Sequence, residues 1–344
     1  MKVNIPRQVK KDFYKYANQV FESGYLSDGP QTEKYEEIFS EYVKIPSVAV
    51  SSGGAALFVI LKYLDVRGYE VILPANTFIA TALAVINAGG TPVFVDCNKY
   101  DLCISYNSIK QAVTEKTKAV ICVHIGGHIS FDIEKISKYC KDNNIILIED
   151  CAHSIGASYN KKSAGTWGVG GAYSFYSTKT ITTGEGGMIS SYNEDLLSYA
   201  IEYRNYGKFN QEGYIKYNYK ITPSNFRISE ITAALGRAML ENMEIILEWK
   251  KALAIKYDNI FHDRIQYPEG MQSGYYKYIV FNCKLKNSVG KVYSKSDQCQ
   301  NIFKVRGEYP NSDWVALNHN CVPIYYGWQY AHKSVDWLSK YLLE

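Results

Sequence analysis

Three segments of this chain hold residues that could do chemistry together. The run NIILIED at 144–150 ends in Glu149 and Asp150 and is followed by Cys151, Ala152 and His153. The run at 171–176 leads through Ser177 and Thr178 to Lys179. The turn Ser51–Ala55 carries a glycine pair, Gly53 and Gly54, at the start of an apolar helical stretch. A lysine amine forms Schiff bases with carbonyl compounds. A glycine-rich helix start offers backbone N–H groups to phosphate. A buried carboxylate opposite a pyridine nitrogen keeps that nitrogen protonated, and the protonated ring absorbs the electrons of a carbanion. Together the segments suit an aldehyde cofactor with a phosphate tail. Taken singly, each has an ordinary reading: a solvated lysine, a helix-capping aspartate and a tight turn.

The elements around these residues alternate. Strands are expected at 69–74, 91–96, 118–124 and 144–150, with helices between them at 77–88, 106–116 and 131–143. Strands that are apolar on both faces and separated by helices form a mainly parallel sheet covered on both sides. In such sheets ligands bind beyond the carboxyl ends of the strands, which is where Asp150 and Lys179 stand. Two further strands, 171–176 and 187–192, lie too close in sequence to hold an ordinary crossover helix between them. Tyr35, Ile38, Phe39 and Tyr42 mark an apolar helix face within 31–44, and one long helix is expected from Ser229 to about Phe261. A domain boundary is placed near residue 240, giving a large domain 1–240 and a small C-terminal domain 241–344 that ends in a helix near 333–343.

Composition narrows the function classes. A net charge of +4, with both signs mixed along the chain, gives no basic arm for nucleic acid. The N-terminal stretch is basic but lacks an apolar segment after it, and no apolar run approaches a membrane span, so a cytoplasmic protein is expected. The eight cysteines show no CxxC spacing, so no metal site is expected and the thiols are read as reduced and buried. The 31 tyrosines are read as half-buried amphipathic side chains. A NAD-binding fold is disfavoured because the first strand-to-helix turn lacks GxGxxG.

Several runs resemble one family. YSFYSTKTITTGEGG at 173–187 resembles the cofactor-lysine motif of the DegT–StrS sugar aminotransferases, SFxxxK followed by a Thr-rich link and GEGG. EDCAHSIG at 149–156, SSGGAAL at 51–57, PANTFIATALAVINAGGTPVFVD at 74–96 and NFRISEITAALG at 225–236 resemble further family segments, in order and over roughly residues 20–240. The resemblance implies an α/β protein of the aspartate-aminotransferase fold (PLP-dependent transferase fold type I), with a large domain and a smaller C-terminal α+β domain. It also implies a homodimer with shared active sites, using pyridoxal 5'-phosphate.

Residue by residue, the resemblance implies that Lys179 carries the cofactor and moves the proton. Asp150 would pair with the ring nitrogen, and His153 would lie beside the 3-hydroxyl. Phe78 would stack on the ring. Ser174 and the amides of Gly54 and Ala55 would hold the phosphate, with Asn225 reaching it from the neighbouring subunit. Two departures stand out. Gly54 replaces the usual Thr of the SGTAAL turn, and the chain is somewhat short for the family in its C-terminal part. The reaction implied is amino transfer from glutamate or glutamine to a ketone, foremost a nucleotide-linked keto-deoxy sugar for polysaccharide or glycoconjugate synthesis. Alternatives are a small phosphorylated ketone as substrate, a keto-sugar dehydratase, and a regulator that kept the fold without the chemistry. Relatives that dehydrate carry His in place of the Schiff-base lysine, which disfavours that reading. His124 and His128 border another strand end and receive no role.

Overall fold

The computed structural model describes residues 3–293 and 307–343. Helices α1 (Arg7–Ser23) and α2 (Pro30–Val43) precede β1 (Ser47–Val50), α3 (Gly53–Tyr63), β2 (Glu70–Pro74), α4 (Ile79–Asn87), β3 (Thr91–Val95), α5 (Tyr106–Ala112), β4 (Thr117–Val123), α6 (Ile133–Asp142) and β5 (Ile146–Asp150). The short strands β6 (Ser158–Tyr159) and β7 (Lys162–Ser163) lead to β8 (Gly170–Ser174) and β9 (Gly187–Ser190). Next come α7 (Glu194–Arg204), a hairpin of β10 (Lys208–Gln211) and β11 (Tyr214–Tyr217), and helices α8 (Glu230–Glu241) and α9 (Met243–Asp258). The C-terminal part adds β12 (Met271–Gln272), β13 (Tyr278–Phe281), a helix Pro310–Asn318, β14 (His319–Val322) and a helix Val335–Leu343.

The main sheet has seven strands in the order β1-β9-β8-β5-β4-β2-β3. Pairs β2–β3, β2–β4, β4–β5 and β5–β8 are parallel, whereas β9 is antiparallel to both β8 and β1. Alternate strand residues enter two different cores, as the two-residue period of a strand requires. Val71, Leu73, Ala119 and Ile121 face one core with α3, α4 and α7. Ile72, Val120 and Cys122 face the other, with residues of α1, α2, α6 and α8. A third core joins Leu253 and Tyr257 of α9 to Val280, Val322, Leu338 and Leu342.

Two expectations are corrected here. The single helix expected from Ser229 to Phe261 is two helices, because Asn242 leaves helical geometry at φ −113° and ψ 18°. Its side-chain amide donates both to Ala238 O (2.9 Å) and to Asp12 Oδ2 (2.9 Å), which fixes the break against α1. Six of the seven described cysteines are buried and all seven are unpaired, but Cys283 is half-buried; Cys299 lies outside the described residues. Among the described residues no helix is long and apolar enough to cross a membrane.

Candidate active site

The carboxyl ends of β2, β4, β5 and β8 and the start of α3 converge on one rim. At the end of β5, Asp150 is 5% exposed. Its Oδ2 accepts from Thr81 Oγ1 (2.9 Å) and its Oδ1 from the Ala152 amide (3.1 Å). Thr77 and Thr81 hydroxyls meet at 2.8 Å, so the segment after β2 supplies a short chain of hydroxyls ending on the carboxylate. Burial pushes the Asp150 carboxyl above the usual range, against the pull of the Ala152 amide, Thr81 and Lys179. Thr81 belongs to the TFIAT run, yet sequence reasoning gave a role only to Phe78. That side chain is 75% exposed at the start of α4, an apolar ring facing open space.

Lys179 sits in the link between β8 and β9, and this link is fixed by its own hydroxyls. Thr182 Oγ1 donates to Phe175 O (3.0 Å) and accepts from the Gly184 amide (2.9 Å); Thr183 Oγ1 donates to Glu185 O (2.7 Å). Burial lowers the Lys179 pKa to about 8; Asp150 raises it and Lys277 lowers it further. The neutral, nucleophilic form is therefore reached at a far lower pH than for an ordinary lysine.

The start of α3 lies against the same segment because glycines let it. A Cβ on Gly53 would stand 2.8 Å from Ser174 Cβ, and one on Gly187 would stand 2.3 Å from the Ser52 carbonyl. The helix start is thus brought beside Ser174. The Ala55 amide, expected as a phosphate donor, here donates to Ser52 Oγ (3.1 Å), which caps the helix. At Gly54, in the first turn of the helix, a Cβ would meet nothing nearer than Ser52 Oγ at 3.8 Å, so this position is uncrowded.

His153 is half-buried and stacks on Tyr276, ring centroids 4.2 Å apart at 27°. Its Nδ1 accepts a long hydrogen bond from the Gly126 amide (3.5 Å), so the ring's proton resides on Nε2. Burial, Lys179 and Lys277 hold its pKa well below the ordinary histidine value, so the ring is neutral. Tyr276 was not expected at the site. Its hydroxyl lies 3.4 Å from Thr178 Oγ1, and Lys179 Nζ lies 5.1 Å from its ring centroid. No local pattern marks it, since Thr178 lies 98 residues away in the chain, with Lys179 beside it and His153 further still.

Asn225 stands apart from this group. It is exposed, and its side-chain oxygen accepts from the Arg227 amide (3.4 Å). The next residue connects to the site, because the Ser51 amide donates to Phe226 O (2.8 Å) just before α3.

His124 and His128 are both buried behind the rim. His124 Nε2 lies 2.9 Å from Glu149 Oε2, while Nδ1 accepts from the Ser130 amide (3.1 Å). Glu149 also takes the amides of Gly165 (2.7 Å), Trp167 (2.5 Å) and Gly168 (2.9 Å), so it ties the loop before β8 to β5. His124, Glu149 and Cys151 come within metal-ligand distance of one another, but these donors already occupy the carboxylate. His128 holds Asp101 O at 3.0 Å, and burial lowers its pKa to about 4.

Comparison with known proteins gives this arrangement a family. The sequence profile of the DegT/DnrJ/EryC1/StrS aminotransferase family matches residues 7–326. The chain belongs to that family. The family is dependent on pyridoxal 5'-phosphate. A GDP-perosamine synthase of Vibrio cholerae is 34% identical over 246 residues, covering 71% of this chain and 66% of that protein. The spore coat polysaccharide biosynthesis protein SpsC of Bacillus subtilis is 32% identical over 262 residues, covering 74% of this chain and 67% of that protein. The sequence matches thus span about two thirds of these relatives. The aminotransferase TlmJ from Streptoalloteichus hindustanus has the same fold, with a TM-score of 0.88 at 22% identity over 99% of this chain and 96% of that one. The DegT–StrS resemblance and the mainly parallel α/β fold are both borne out.

Proposed function

We propose that this chain is a pyridoxal-phosphate-dependent aminotransferase that moves an amino group from glutamate or glutamine to the ketone of a nucleotide-linked sugar. The observation that carries the reading is the buried Asp150 carboxylate, held by Thr81 at the end of β5, with Lys179 close enough on the same rim for each charge to act on the other. The residues fit the cofactor. A helix start lies beside Ser174 with an uncrowded position at Gly54, an exposed aromatic waits at Phe78, and a neutral imidazole at His153 carries its proton on Nε2. Gly54's amide and Ser174 are the phosphate donors in this reading, the Ala55 amide being engaged by Ser52 Oγ.

When bound, pyridoxal phosphate supplies a ring that accepts the electron pair left when a proton leaves the substrate carbon. Lys179 Nζ would hold the cofactor through its aldehyde and, as a free amine, would carry that proton between the two carbons. Asp150 would hold a proton on the ring nitrogen, and His153 would stand beside the ring hydroxyl as its hydrogen-bond donor. Phe78 would cover the ring face and keep water off it.

The sugar substrate and its use in glycoconjugate synthesis rest on relatives whose names describe GDP-perosamine synthesis and spore coat polysaccharide synthesis. A nucleotide-sugar enzyme draws binding energy from the remote nucleotide. A free nucleoside diphosphate (guanosine, thymidine, uridine or cytidine) is therefore expected to compete with the keto-sugar in initial-rate assays. Turnover of a small ketose phosphate with glutamate, with no inhibition by any of the four, would replace the sugar-nucleotide reading.

The proposal extends to a cytoplasmic homodimer with a large domain to about residue 240 and a small one after it. Support for the division is the third core, built wholly from residues after 240. Support for the dimer is apolar surface on the hairpin, where Tyr214, Ile215 and Tyr217 are exposed, as is Tyr219 just after it. Asn225 then serves the cofactor phosphate of the partner subunit. Asn225→Ala is expected to weaken cofactor binding roughly tenfold without changing the melting temperature, the scale of one hydrogen bond to a charged group. Dilution should release cofactor in step with dissociation. Sedimentation of a monomer with full cofactor occupancy would end the shared-site reading.

A further inference from the structure

Lys277 is a cation that the reading above leaves without a task. It follows Tyr276 in a segment pinned to the turn after β4: its amide donates to Gly126 O (2.8 Å), and the Gly274 amide donates to Gly127 O (2.7 Å). Gly127, at φ +115°, has no room for a side chain, since a Cβ would stand 2.5 Å from Tyr276 N. From this fixed backbone, Lys277 Nζ reaches 5.0 Å from the Tyr276 ring centroid. Lys179 Nζ lies 5.1 Å from the same centroid. Both amines therefore border one ring, which is itself stacked on His153.

Lys277 makes no ion pair with a carboxylate among the described residues. Its charge is felt nearby, where it lowers the pKa of Lys179, His153 and Lys250. Lys250, buried in α9, donates to Tyr275 O (3.0 Å) and so occupies itself with holding the segment. Asp150 is the carboxylate that faces Lys179. Lys277 therefore leaves on this rim a positive charge that an anionic group of a ligand can meet.

We infer that Lys277 binds the α-carboxylate of the amino donor. This rests on the aminotransferase reading. Glutamate and glutamine alike carry a carboxylate on the carbon that bears the amine. Exchange of that amine with Lys179 therefore places a negative charge one bond from the reacting carbon. A charge-assisted hydrogen bond spans about 2.8 Å, within reach of an ammonium that shares a ring with the reacting amine. A keto-sugar carries its phosphates on a carbon remote from its ketone. Lysine also suits a site that must accept two substrates in turn, being a point charge on a flexible stem.

The test uses the cofactor-loaded enzyme with Lys277→Met and Lys277→Arg. Each half-reaction is followed separately by cofactor absorbance, with glutamate or with the keto-sugar. Lys277→Met should raise the donor KM roughly ten- to a hundredfold, the scale of a lost hydrogen bond to an ionised group, while the keto-sugar KM stays put. Lys277→Arg should recover most of the loss. Calorimetry with 2-oxoglutarate, which needs no turnover, should show affinity falling by the same factor. An unchanged donor KM and unchanged 2-oxoglutarate affinity would overturn the inference. A loss confined to the keto-sugar half would overturn it too, giving the cation to the diphosphate instead. Should wild-type protein react with no amino acid, the aminotransferase reading falls while the calorimetry still decides Lys277.

Discussion

Lys179→Ala is expected to abolish turnover while leaving the protein folded. Lys179 is a desolvated cation repelled by Lys277, so its removal takes away an unfavourable charge and a side chain that supports no core. Chemistry, by contrast, has no substitute. Lys250 is tied to Tyr275 O, and Lys277 Nζ is carried by a different segment, 5.0 Å from the Tyr276 ring centroid. Loss of both the bond to the cofactor and the proton carrier should lower kcat by roughly 10⁴-fold, the upper range for a positioned acid–base group. Borohydride treatment followed by peptide mass mapping should find the reduced adduct on Lys179 in the wild type and on no lysine in the variant. An adduct on Lys277 or Lys250 would reassign the role.

The same amine sets a pH dependence. Only the unprotonated form attacks an aldehyde, and burial lowers the Lys179 pKa from 10.5 to about 8. Below that value the amine is protonated and inert; above it the amine is free. The rate at which cofactor-free protein captures pyridoxal phosphate should therefore rise with pH and level off above about 8. A rate still climbing at about pH 10, the region of an ordinary lysine, would contradict a desolvated amine.

The rim of this site was legible because its signals are local. Strand β5 reads as an apolar run that stops at Glu149 and Asp150, and β8 and β9 read as neighbours because no helix fits between them. The glycines of SSGG and GEGG were visible as letters, but their reason, Gly187 against Ser52, is a contact between distant strands. Thr81 was in plain view, yet its role depends on Asp150, 69 residues on. Tyr276 and Lys277 lie beyond any motif and enter the site only because Gly126 and Gly127 accept their backbone. Helix α1 went unread although Val9, Tyr16, Ala17 and Val20 form its buried face. The hairpin was missed for a different reason: its two-residue turn, Glu212 and Gly213, has positive φ at both positions, and only the glycine advertises that.

Asp150→Asn should slow the chemical step sharply with little change in stability. The two side chains have the same shape, so packing at the end of β5 survives. Hydrogen bonding does not survive unchanged. The Ala152 amide can only donate, so the Asn oxygen must stay at Oδ1, 3.1 Å from it. The new NH₂ group then takes the Oδ2 place, 2.9 Å from Thr81 Oγ1, and Thr81 must turn from donor to acceptor. The Thr77 contact at 2.8 Å permits this, because either hydroxyl can donate. What the variant cannot do is accept a proton-bearing ring nitrogen, since its amide offers N–H where the carboxylate offered a negative charge. The nitrogen loses its proton and the ring becomes a weaker electron acceptor. The expected fall in kcat is on the order of 10²- to 10³-fold, the size of removing one preorganised electrostatic group. Thr81→Val keeps the charge and removes one donor, so its loss should be nearer tenfold, about that of one hydrogen bond to a charged group. Single-turnover rates with glutamate alone separate the two, because neither change alters the keto-sugar subsite. Near-wild-type rates in Asp150→Asn would reduce Asp150 to a buried anchor for Thr81 and Ala152, and equal losses in both variants would locate the effect in geometry rather than charge.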